Sequence, residues 1–135
     1  MDYRTKAWYS KKDWGFVEGG QCAISCHTTI PFMIGNPFVT EESIDVATEM
    51  RSILVKRINS WATIKPLYTW DAVDSKGTES VLNSIALMLY DLKISKKVSR
   101  ETCSAVSNMW ESMSSAGKFP WLSQNLSPWE DADAN

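Results

Sequence analysis

Two of the three cysteines and the only histidine of the 135-residue chain fall in one six-residue stretch, Cys22-Ala23-Ile24-Ser25-Cys26-His27. Cys-x-x-Cys-His is the attachment signature of a c-type haem, and here the loop between the cysteines is one residue longer. The chemistry tolerates that change. Two thiols add across the two vinyl groups of a porphyrin. A histidine directly after the second cysteine then lies beneath the iron and supplies its proximal nitrogen. The extra residue enlarges the loop between the thioethers and leaves the Cys-His dipeptide unmoved. Two other readings stay open. A structural zinc needs four ligands, and beyond this stretch only Cys103 remains as a soft donor, standing alone. A disulfide between Cys22 and Cys26, beside an unrelated histidine, asks nothing more of the chain.

The far side of the iron is harder to read. With a single histidine, ligation by two histidines from this chain is excluded. Methionine is the natural intrachain donor and raises the reduction potential. Met33 follows His27 by six residues. At about 3.3–3.6 Å per residue it reaches the opposite face only at near-full extension, so it ranks low. Met50, Met88, Met109 and Met113 fall on expected helices, where methionine is more often core filler. Met50 and Met88 lead as sixth-ligand candidates because both sit on faces expected to point inward. An open or water-filled sixth position is the alternative.

These residues need a scaffold. Ala7 to Val17 has no clean period and reads as a short helix or turn, and Gly19-Gly20 breaks regular structure before Cys22. Two prolines and Gly35-Asn36 predict an ordered loop, not a helix, from Thr28 to Phe38. Its apolar residues should pack on the ring, and a carbonyl near Pro31 is a candidate acceptor for His27 Nδ1. Thr40 is a candidate N-cap with Glu41 and Glu42 at the positive end of a helix dipole. Ile44, Ala47, Met50 or Arg51, Leu54, Ile58 and Trp61 make a helical stripe, with Lys56, Arg57 and Asn59 outward and Pro66 as the stop.

After a loop from Leu67 to Lys76, Gly77-Thr78-Glu79 reads as the start of a second helix capped by Thr78. Its apolar face is Val81, Leu82, Ile85, Met88, Leu89 and Leu92, and Val81 to Leu89 is apolar nearly all round, so it should be the most buried helix. Ser99 caps a third helix, with Val98 and Cys103 placed for a hydrophobic staple. Its expected face is Cys103, Val106, Trp110 and Met113, with Gly117 as a C-terminal stop. Cys103 then reads as a buried small hydrophobe. Phe119 to Glu130 is expected to be loop with aromatic anchors, and residues 131–135 a frayed tail. The expected fold class is all-α: one domain over residues 1–135, with three main helices and long ordered loops around one covalently bound haem.

Composition narrows the function classes. The net charge is −2 and the pI about 5.4, so nothing points to nucleic acid. No apolar run approaches the roughly 18–20 residues of a membrane span. Three cysteines do not make a disulfide framework. Seven tryptophans offer aromatic walls for a flat cofactor, or simply anchor a core. The first residues lack the apolar segment of a secretory leader. Covalent haem attachment takes place outside the cytoplasm, so the haem reading expects a periplasmic or otherwise extracytoplasmic protein whose leader has been removed ahead of Met1.

Cys22 with Cys26-His27-Thr28-Thr29-Ile30-Pro31, then Gly77-Thr78-Glu79-Ser80-Val81-Leu82-Asn83, then Trp110, Trp121-Leu122 and Pro128-Trp129-Glu130, come in this order along the chain. In that order they resemble bacterial squalene-cyclase or prenyltransferase-like repeat proteins that carry a c-type cytochrome-like Cys-His motif. The resemblance covers roughly residues 20–130, and only these short pieces are specific. It implies paired antiparallel helices, an extracytoplasmic location and haem attachment at Cys22, Cys26 and His27. It does not imply cyclase chemistry, because the Asp-rich motif of a terpene cyclase is not visible.

The expected function is therefore electron transfer by a monohaem c-type cytochrome carrying haem c, docking transiently on a redox partner. It is not expected to be an enzyme, and its oligomeric state is left open. The alternatives are a five-coordinate haem domain that binds a small gas, and a non-haem helical interaction module of the cyclase-like fold.

Overall fold

Four α-helices account for most of the described chain, and no strand occurs among the described residues, as the all-α class requires. The structure, a computed structural model, describes residues 29–35 and 41–123.

Helix α1, Thr29–Gly35, stands where a loop is predicted. Pro31 does not prevent it. In the first turn of a helix the backbone N–H has no intrahelical acceptor, so proline removes nothing. The apolar residues of this stretch do pack, but on protein: Ile30, Phe32 and Met33 are buried, and α1 lies against the next two helices of the chain.

Helix α2, Glu41–Asn59, matches its predicted stripe at Ala47, Met50, Leu54 and Ile58, all buried together with Val46. Ile44 is exposed. The helix ends well before Pro66, in a turn where the N–H of Ile64 donates to the Ser60 carbonyl at 2.8 Å.

Helix α3, Ala72–Tyr90, begins five residues earlier than Gly77-Thr78 suggests. Asp71 is the N-cap, and its carboxylate accepts from the Asp74 N–H at 3.2 Å. Thr78 is therefore a residue of the helix interior, not a cap. One π-helical turn, Asp91–Ser95, continues the helix, and Lys96 reverses the chain with a left-handed φ of 55°. Ser99 caps α4, Arg100–Ser112, as predicted, its hydroxyl accepting from the Thr102 N–H. Asp91 meets Ser99 and Thr102 at one end, and Ser80 meets Ser112 at the other. The two helices are thus an antiparallel hairpin.

One hydrophobic cluster joins the four helices: Ile30, Phe32 and Met33 of α1, the α2 stripe, Ala86, Leu87 and Tyr90 of α3, and Ala105 of α4. The α3 helix is central, touching all three others. It is central by the face opposite to the predicted one. Its buried arc is Ser75, Gly77, Glu79, Ser80, Asn83, Ser84, Ala86, Leu87 and Tyr90. Ile85, Met88 and Leu92 point outward, Met88 at 46% exposure. Small and polar residues let neighbouring backbones approach closely, and that geometry outweighs the side-chain hydropathy of the arc. The α4 helix is rotated in the same sense. Thr102 and Ala105 face in, whereas Cys103, Trp110 and Met113 of the predicted face are exposed. Cys103 is a free surface thiol and not a core hydrophobe.

Beyond α4, Gly117 takes a φ of 78° in a turn closed by the Gly117 N–H donating to the Ser114 carbonyl. Phe119 then packs at a tilt against Trp110, 5.7 Å between ring centres. From there a strap runs across α3 and buries Leu122.

Candidate functional site

Cys22, Cys26 and His27 lie outside the described residues. The structure does fix the segment next to them: α1 opens at Thr29, two residues past His27, and Ile30 is already in the core. The sixth-ligand candidates are separated by their surroundings. Met50 is 1% exposed inside the hydrophobic cluster, on α2. Met88 stands on the outward arc of α3, its expected inward orientation replaced because the polar arc is the one that packs. Met33 is fully enclosed.

The Gly77–Asn83 stretch shows why its residue types come at this spacing. A Cβ on Gly77 would lie 2.6 Å from Pro120 Cβ, so glycine is what lets the strap cross the helix. One residue on, Thr78 Oγ1 accepts the Leu122 N–H at 2.6 Å and fixes the strap. Glu79 points inward and holds Arg57 of α2 in a two-pronged ion pair, Nε to Oε1 and Nη2 to Oε2, the latter 2.8 Å. Both side chains are almost fully buried. Arg57, read from the sequence as an outward residue of α2, is therefore a core residue. Its Nη2 also donates to the Lys65 carbonyl at 3.3 Å. Asn83, one turn past Glu79, donates to Glu79 Oε1 at 3.4 Å. Among the described residues, Arg57 Nη1 and Asn83 Oδ1 have no hydrogen-bond partner. Ser80 and Ser84 donate back to the helix carbonyls of Gly77 and Ser80 at 2.7 and 2.8 Å, which lets hydroxyls occupy a buried face.

A second polar cluster surrounds Asp91. Its carboxylate accepts from the Ser99 N–H and from the Thr102 hydroxyl, 2.7 Å, with Arg51 Nε 3.8 Å away. Burial pushes the Asp91 carboxyl upward. The bonds from Thr102 and Ser99 and the Arg51 charge outweigh it and hold its pKa below the ordinary carboxylate value. Arg51 also lies over the Tyr90 ring at 5.3 Å, and the Tyr90 hydroxyl meets Thr48 at 2.8 Å. Asp74, near the start of α3, is shifted the other way: partial burial and the neighbouring Asp71 raise it.

These clusters bind helices together. Glu79 is neutralised in place by Arg57, and the one described cysteine stands on the surface. Among the described residues no three His, Cys, Asp or Glu side chains gather as a metal site, and no helix is long and apolar enough to cross a membrane. Glu79 and Asn83 share one face at a four-residue spacing, a signal present in the sequence. Arg57 sits beside the α2 stripe, and only the position of its partner shows that it turns inward. Compared with family models, curated proteins and solved structures, the chain matches none.

Proposed function

We propose that the chain is a monohaem c-type cytochrome that passes single electrons to or from a transiently bound redox partner in an extracytoplasmic compartment. The observation that carries this reading is the gathering of Cys22, Cys26 and the sole histidine in six residues. Helix α1, which opens two residues later, is seated in the core. Cys22 and Cys26 would hold the porphyrin through thioether bonds and His27 would ligate its iron, and the group would supply one-electron transfer. Of the two methionine candidates, Met88 has the stronger claim, because it is exposed whereas Met50 is enclosed in the hydrophobic cluster.

The visible spectrum of the purified protein tests the proposal. A Soret band that survives acid–acetone extraction is expected, as is its loss in His27→Ala and its weakening or loss in Cys22→Ser. A protein without that band sinks the reading. A low-spin spectrum with a methionine–iron charge-transfer band should vanish in Met88→Ala and persist in Met50→Leu. A high-spin ferrous form that binds carbon monoxide rapidly would instead show a gas-binding haem.

A further inference from the structure

The turn between α3 and α4 carries a composition unlike the rest of the chain. Leu92-Lys93-Ile94-Ser95-Lys96-Lys97-Val98-Ser99-Arg100 holds four of the fourteen Lys and Arg residues and no Asp or Glu, in a protein of net charge −2. Lys93, Lys96, Lys97 and Arg100 are all exposed. The flanking acids are occupied: Asp91 is buried and bonded to Ser99 and Thr102, and Glu101 faces Arg51 at 3.5 Å. Between the cations, Leu92 and Val98 are each 63% exposed. Ile94 packs against the core and, with Asp91 holding Ser99, gives the turn a fixed shape. At its apex the backbone adopts a left-handed φ of 55°, where glycine or asparagine is the economical choice. The chain places Lys96 there.

We propose that this tip docks on the surface of an anionic lipid bilayer, with Lys96, Lys97 and Arg100 at the phosphates and Leu92 and Val98 at the acyl boundary. The charge calls for an anionic partner. The interleaved aliphatic side chains select a lipid surface over an acidic protein patch, because the headgroup zone accepts ammonium groups and apolar side chains within a few ångströms of one another. Each cation near an anionic membrane strengthens binding about fivefold, and the attraction weakens with salt. The docking is of the interfacial kind and needs no spanning helix. It stands independently of the haem reading, since its test reads no haem signal.

The experiment is co-sedimentation of the full chain with vesicles of phosphatidylglycerol and phosphatidylcholine, and with vesicles of phosphatidylcholine alone, with polyglutamate as a soluble anionic control. Binding to the anionic vesicles only is expected. Lys96→Glu with Lys97→Glu and Arg100→Glu should weaken it at least about a hundredfold. Leu92→Ser with Val98→Ser should weaken it about tenfold while leaving any polyglutamate binding unchanged. Lys96→Gly keeps the fold intact by relieving the left-handed strain, and should weaken vesicle binding about fivefold. No binding to anionic vesicles overturns the proposal. So does binding that the Leu92 and Val98 changes leave intact, which would mark an acidic protein surface as the partner. Self-association through this tip in the absence of lipid, abolished by the charge reversals, would overturn it too.

Discussion

At the scale of single residues, Arg57 and Glu79 have the largest consequences. A buried ion pair gains little over an apolar pair of the same size, yet removing one partner leaves a charge stranded in the core. Glu79→Ala or Arg57→Ala is expected to cost about 3–5 kcal/mol, read from urea unfolding. The double variant Arg57→Met with Glu79→Leu should recover most of that loss. If the two single losses simply add in the double variant, the pair is not coupled as its geometry requires. The residue types were visible in the sequence, but their environment was not. Glu79 reads as an acid at the start of a helix and Arg57 as a solvated base near the end of another. Only the crossing of α2 and α3 turns each toward the other, and no local pattern encodes that crossing.

Asp91 belongs to the scale of elements, since it joins the end of α3 to the start of α4. Its pKa is held below the ordinary carboxylate value, so the unfolded chain binds the proton more readily than the folded one. The stability it contributes is present above the unfolded value near 3.8 and is lost as the pH falls through the lower folded value. Asp91→Asn should flatten that acid limb of the stability curve and lower stability at neutral pH, measured by urea unfolding across a pH series. Helix existence was largely legible: the Ser99 cap and the α2 stripe arise from residue types at fixed spacing. Helix faces were not. The hydropathy of α3 points its apolar arc inward, whereas close approach selects Gly77, Ser80 and Ser84 for the interior. The same rotation put Cys103 and Trp110 of α4 outside. Pro31 misled in another way, because proline forbids a helix interior and not its first turn.

For the whole molecule, the strap across α3 closes the described fold. Gly77→Ala gains up to about 1 kcal/mol of helix propensity and meets Pro120, an overlap that costs about 1–3 kcal/mol. The expected net effect is destabilisation with the strap displaced, seen as a lower urea midpoint and faster proteolysis near residue 120. Thr78→Val should act in the same direction, because it leaves the Leu122 N–H without its acceptor. The Gly77-Thr78-Glu79 run was legible as a distinctive piece of sequence, but not as three separate devices: a gap for a crossing chain, an anchor for it, and half of a buried ion pair. The candidate haem stretch, Cys22 to His27, is proposed from residue types alone and lies outside the described residues.

The strap also sets an order of assembly. Synthesis delivers α3 and α4 before Pro120 and Leu122, so a nascent chain can form the helical hairpin while the Gly77 flank is still open to water. Latching then comes last, and only after translation has passed the turn at Gly117. A chain arrested before that point should be cut readily within α3, and one extended past Leu122 should resist.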